Sequence, residues 1–178
     1  MKLNLKTYEI MVAIALLFAG NVLFAQSPDQ KLIAMGIALP AITQPKHSYM
    51  SATSSGELVY FSGKGAVDAN NNFITGKFGE NLSAHQGNKL AQQIAIAFLA
   101  EIKDALGSLS NVKKIVKVSG YLNASPEFTD HSLVMDGFSD FMVKIFGQQG
   151  THARTSVGVS SLPGEMALEI EMIVETIN

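Results

Sequence analysis

The stretch Ser83–Gly107, SAHQGNKLAQQIAIAFLAEIKDALG, carries the longest periodic signal in the chain. Leu90, Ile94, Phe98, Ile102 and Leu106 recur every four residues with Ala91, Ala95 and Leu99 beside them, which lays an apolar stripe along one side of a helix. Ser83 and Gln86 form a Ser-x-x-Gln capping box at its start, and Gly107 is a natural C-terminal stop. The spacing predicts a core-facing amphipathic helix.

Upstream, His47–Ser54 and Glu57–Gly63 are strand-like runs separated at Ser55-Gly56, as in a hairpin. Asp68–Asn72 (DANNN) is a turn-rich loop. Downstream, Lys113–Leu122 has the β-branched content of a strand, and Ser125-Pro126 suits the start of a second helix marked by Phe138, Phe141, Met142 and Ile145 and ended at Gly147. Ala153–Val159 and Met166–Ile177 form two last strands joined through Leu162-Pro163-Gly164. In the second of these, Leu168, Ile170, Met172 and Val174 alternate with Glu169, Glu171 and Glu175. The order β-β-(β)-α-β-α-β-β predicts an α+β fold of two layers, with a mostly antiparallel mixed sheet and two helices on one face. The other sheet face then needs a cover, and an oligomer interface is the usual one.

A chain of 178 residues suits one domain, and 16% charged against 47% hydrophobic residues is a globular composition. The formal charge is only −2, with no basic block or stripe, so nucleic acid is not an expected partner. Cysteine is absent, which excludes disulfides, thiolate metal sites and a Cys nucleophile. Lys2 and Lys6, the apolar run Ile10–Ala19, the break at Gly20-Asn21 and a cleavable Ala25 read as a secretory signal peptide over residues 1–25. The run is shorter than the about 18 apolar residues that span a bilayer. The mature chain is expected in the periplasm or outside the cell, with no membrane attachment after the signal is removed. Residues 26–35 read as a polar linker followed by a short helical turn at Lys31–Met35, stopped by Gly36, and residues 36–178 as the domain.

The sequence has no Gly-x-Ser-x-Gly elbow, no Gly-rich loop ending in Gly-Lys-Ser/Thr and no Gly-x-Gly-x-x-Gly. Gly63-Lys64-Gly65 reads as a turn. His47, His85, His131 and His152 lack the spacing and acidic neighbours of a zinc site, so no metal is expected. Asn81-Leu82-Ser83 and Asn123-Ala124-Ser125 match glycosylation sequons but are better explained by capping.

The string His152-Ala-Arg-Thr-Ser-Val-Gly-Val-Ser-Ser-Leu-Pro163, followed by Leu168-Glu-Ile-Glu171, resembles the signature of the RidA/YjgF family. Pro45-x-x-x-Tyr49 and Leu58-Val-Tyr-Phe-Ser-Gly63 resemble the family's opening hairpin, so the likeness spans about residues 31–178. Gly36-Ile-Ala-Leu-Pro40, Gly107-Ser-Leu-Ser-Asn-Val112 and Phe146-Gly147 are more similar to a divergent branch than to the RidA enzymes proper. The resemblance implies a chorismate mutase-like, RidA-like homotrimer with clefts between subunits and no cofactor. It implies that Arg154 binds a substrate carboxylate and that Glu169 orients water for hydrolysis of an enamine or imine to a keto acid and ammonia. It also carries Tyr49, Ser62 and Gly63 into the substrate site, together with Ser156, which stands where the family usually has Cys.

These residue types fit that chemistry. A guanidinium fork fixes both oxygens of a carboxylate at once. A protonated imine is already electrophilic, so the site has mainly to place a water and handle a small charge shift. Bland readings stand beside these: Arg154 paired across strands with Glu169 or Glu171, Tyr49 as hairpin packing, Ser156 as a small packing residue and Glu169 as a solvated edge charge. A non-catalytic exported trimer that captures a small carboxylate metabolite is the alternative function. The endoribonuclease activity attached to some family names is not supported by the acidic composition.

Overall fold

The computed structural model describes residues 26–42 and 48–177. The signal-peptide reading, and His47 of the first expected strand, lie outside the described residues.

The first helix among the described residues, α1, spans Pro28–Ala34 and is closed at its start by a Ser27/Gln30 capping box, with Pro28 opening it. It is longer than the single turn expected and occupies part of the segment read as linker. Leu32 is buried in the core, and Lys31 Nζ donates to the Ile145 carbonyl at 2.8 Å. The hairpin follows as β1 (Ala52–Ser55) and β2 (Leu58–Gly65), paired antiparallel around the Ser55-Gly56 turn. Gly63-Lys64-Gly65 is therefore strand and not turn. The bracketed third strand reduces to isolated bridges, Val67 to Phe73 and Thr75 to Met166. In the loop between them, Asp68 Oδ1 accepts from the Asn70 and Asn72 amides.

The long helix α2 spans Ala84–Leu106, with the Ser83/Gln86 capping box formed and Gly107 closing it at φ 75°. Next come β3 (Val112–Asn123), α3 (His131–Phe146), β4 (Ala153–Val159) and β5 (Leu168–Thr176). The N-cap of α3 is Asp130, five residues after the expected Ser125. The Ser125 amide instead donates to the Phe78 carbonyl and its carbonyl accepts from Phe128, which makes a turn.

The five strands lie in the order β1-β2-β5-β3-β4, antiparallel except for the parallel pair β3/β4 that α3 bridges. Leu168, Ile170, Met172 and Val174 of β5 and Val118 and Leu122 of β3 are buried under Ile94, Phe98 and Ile102 of α2 and Phe138 and Met142 of α3. Helices α2 and α3 meet closely at Gly137, where an added Cβ would stand 2.0 Å from the Asn88 carbonyl oxygen. The alternate residues of the sheet, Lys117, Ser119 and Tyr121 of β3 and Glu169, Glu171 and Ile173 of β5, point away from the helices.

Candidate functional site

The site begins with a bulge. Phe61 pairs with Met172 and Lys64 with Ile170, so β2 advances three residues while β5 advances two, and Ser62-Gly63 stand opposite Glu171 alone. The Ser62 amide donates to the Ser51 carbonyl at 2.9 Å and its hydroxyl to the Met50 carbonyl at 2.7 Å, tying the bulge to the segment that enters β1. A Cβ on Gly63 would fall 2.1 Å from Glu169 Oε1. Only glycine leaves room for that carboxylate.

Tyr49, Ser62, Gly63 and Glu169 thus line one cleft of about 440 Å³, with Phe73 and Met166 adding apolar wall. The Glu169 side chain makes no hydrogen bond or ion pair among the described residues. Burial and the neighbouring Glu171 carboxylate push its pKa above the ordinary range. Glu171 is itself held by the Tyr121 hydroxyl, which donates to it at 3.0 Å; that bond and burial raise the Tyr121 pKa.

Sequence reasoning missed one pair in this cleft. Lys64 Nζ lies 2.7 Å from Glu101 Oε1, and the Glu101 side chain is only 7% exposed. The signal was a carboxylate beside the apolar stripe of α2, three residues after Phe98.

Arg154 lies elsewhere. It and Met172 flank Val118 in register, and the three point together toward the helices, whereas Glu169 pairs with Tyr121 on the bare face. Two strand spacings, roughly 10 Å, also separate β4 from β5. Arg154 therefore pairs with neither Glu169 nor Glu171: its Nη1 donates to Asp136 Oδ1 at 2.9 Å and to Ser139 Oγ at 3.0 Å, both on α3. These two bonds take both Nη1 protons. The parallel Nε–H and Nη2–H pair has no partner among the described residues. Ser156, in register with Gly120, faces the helix side like Arg154 and lies outside the cleft that holds Glu169. Among the described residues no group of three or more His, Cys, Asp or Glu side chains is placed to hold a metal ion.

A two-layer α+β chain with a carboxylate seated on a glycine bulge and an arginine at the far edge has the RidA/YjgF architecture. The chain belongs to the YjgF/chorismate mutase-like endoribonuclease family, whose model matches residues 29–173. It is 37% identical over 145 residues to Protein TCP17 of Trypanosoma cruzi, covering 81% of this chain and 91% of that one. It is 30% identical over 139 residues to the 2-iminobutanoate/2-iminopropanoate deaminase of Dermatophagoides farinae, covering 78% and 93%. Among solved structures, protein Atu1372 of Agrobacterium tumefaciens, of unknown function, superposes with a TM-score of 0.76 at 33% identity, covering 84% of this chain and 94% of that one.

Proposed function

We propose that the protein is an enamine/imine deaminase acting in clefts between the subunits of a homotrimer. One observation carries this reading: Glu169 is a half-buried carboxylate that pairs with no cation among the described residues, Lys64 of the same cleft being held by Glu101, while Arg154 keeps a parallel pair of N–H groups unoccupied on another face of the same chain. A neighbouring copy can bring the two together. The bare sheet face, carrying Tyr121, Glu169 and Glu171, is the surface such an assembly would cover.

In this arrangement the Nε–H and Nη2–H of Arg154 grip the substrate carboxylate side-on. The imine carbon then sits toward the neighbouring subunit's half of the cleft, with Tyr49 and the Ser62-Gly63 bulge forming its wall. Glu169 accepts a proton from water as its oxygen adds to the carbon of the protonated imine and returns that proton to the nitrogen; as the C–N bond breaks, the carbinol hydroxyl passes its remaining proton to Glu169 and on to the departing ammonia. The balance is protonated imino acid plus water to 2-oxo acid plus ammonium. The deaminase relative supports this choice of substrate class.

The test is ammonia release from 2-iminobutanoate generated in situ, with light scattering after gel filtration on the same sample. Turnover by a species of three times the protomer mass is expected; a stable monomer at micromolar concentration would remove the shared cleft. The apolar, positively started segment at residues 1–25 favours a second reading, an exported trimer that binds a small carboxylate without turning it over. Saturable 2-oxobutanoate binding without ammonia release would select it, and mass spectrometry of the native N-terminus checks export.

A further inference from the structure

We infer that His152, acting through Ser139, is a positioning residue that sets the direction in which Arg154 presents its unoccupied N–H pair. The inference rests on Arg154 being the carboxylate-binding group proposed above.

The chain of contacts fixes its own polarity. His152 Nδ1 lies 2.7 Å from the Gly150 carbonyl oxygen, which can only accept, so Nδ1 carries the proton. Neutral imidazole then has a bare Nε2, 3.0 Å from Ser139 Oγ, and the Ser139 hydroxyl donates to it. That leaves the Ser139 lone pairs for Arg154 Nη1, whose other proton goes to Asp136. A serine without His152 could rotate its proton toward the guanidinium. With His152 neutral it is locked as an acceptor.

The result is geometric selection within the guanidinium. Because Nη1 is held twice from α3, the group cannot turn end-on to a ligand, and the side-on Nε/Nη2 pair is the face left to meet a carboxylate. Asp136, whose side chain is 46% exposed, supplies charge, but Ser139 and His152 supply direction.

Protonation of His152 would reverse the chain. Nε2–H would donate to Ser139 Oγ and compete with Arg154 for the same lone pairs. Burial lowers the His152 pKa, the Gly150 bond opposes this, and the Arg154 charge lowers it further. The charged group acting on the imidazole is Arg154, two residues on in β4, with Asp136 of α3 bound to that guanidinium. Lys117 of β3 points to the opposite sheet face against Thr155, the Gly147–Gly150 turn carries no charge, and the Phe138 ring packs with its centroid 6.4 Å away. Carboxylate affinity should therefore fall as pH drops through the His152 titration. Protonation of Glu169 acts in the opposite sense, since it removes a negative charge from the shared cleft.

The experiment titrates the full-length protein and five variants with 2-oxobutanoate by calorimetry at several pH values, alongside melting curves. Ser139→Ala removes the acceptor. His152→Asn keeps a donor for the Gly150 carbonyl and loses the acceptor for Ser139, whereas His152→Gln restores an amide oxygen near the Nε2 position. Ser139→Ala and His152→Asn should each weaken binding about tenfold with little change in melting temperature, as expected for losing one hydrogen bond to a charged group. His152→Gln should restore most of the affinity and abolish the loss at low pH. Wild-type affinity in Ser139→Ala and His152→Asn, with Arg154→Lys still defective, overturns the positioning role and leaves the carboxylate site standing. Wild-type affinity in Arg154→Lys overturns both. Should a variant fail to fold, the pH dependence of Glu169→Gln, which lacks the opposing titration, decides: affinity in that variant that stays flat or rises on acidification overturns the role.

Discussion

Glu169 Oε1 occupies the space that a side chain on Gly63 would fill, with 2.1 Å separating the oxygen from the position of the missing Cβ. The glycine and the carboxylate come from motifs far apart in the sequence, and the bulge in β2 makes them one unit.

Replacing Gly63 by Ala should therefore act on turnover before stability. The methyl group displaces a flexible carboxylate, not backbone, so the sheet survives while Glu169 leaves its position. A loss in kcat on the order of a hundredfold is expected, in line with removal of a positioned acid–base group. Unchanged kcat with an unchanged far-UV spectrum would detach Glu169 from the chemistry.

Glu169 also predicts a pH effect with a definite sign. Its pKa is raised by burial and by Glu171, so folding disfavours the ionised form: its contribution to stability is full below the unfolded-state pKa and is lost as pH rises through the higher folded value. Glu169→Gln should raise the melting temperature at neutral pH and leave it little changed in acid. Turnover, which needs the ionised base, should fall as pH drops through the same raised value. Melting curves and rate profiles over one pH series test both signs.

Arg154→Lys keeps the charge and loses the parallel donors. Ligand affinity or turnover should fall at least tenfold with the assembly intact, because an ammonium cannot reproduce the two-point geometry. Glu169→Gln should cost turnover more than binding. A purely structural Arg154, joined to Asp136 and Ser139, gives the opposite pattern: Arg154→Ala would lower the melting temperature and leave carboxylate binding unaltered.

Gly137→Ala should be costly for a reason unrelated to the site. Its Cβ meets the Asn88 backbone oxygen, which cannot move aside without shifting α2 as a whole. Overpacking of this kind costs about 1–3 kcal/mol. Urea denaturation monitored by circular dichroism measures it.

Helix α2 was legible to the residue because both its ends and its apolar stripe are written in local spacing. The start of α3 was not, because the fate of Ser125 depends on the distant Phe78 carbonyl. The bulge at Ser62-Gly63 was equally hidden, since it exists only in the register between β2 and β5. Strand alternation does put Arg154 and Glu169 on opposite faces, but only once the β3 neighbours of each are known. The partners of Arg154 come from a helix that no strand pattern connects to it. Spacing along α3 places Asp136 and Ser139 on one side of the helix, yet nothing local says that His152 closes the circuit.

The short α1 sets a limit on how far the chain can be shortened from its N-terminal side. Leu32 fills a place in the core, Asp29 meets Lys103 at 2.7 Å, and Lys31 puts a positive charge on the carbonyl end of α3. Trimming to Ser27 leaves all three in place. Trimming to Gly36 would open a cavity and uncap the very helix that holds Arg154, so a shortened protein could lose its ligand through an edit made at the other end of the sequence.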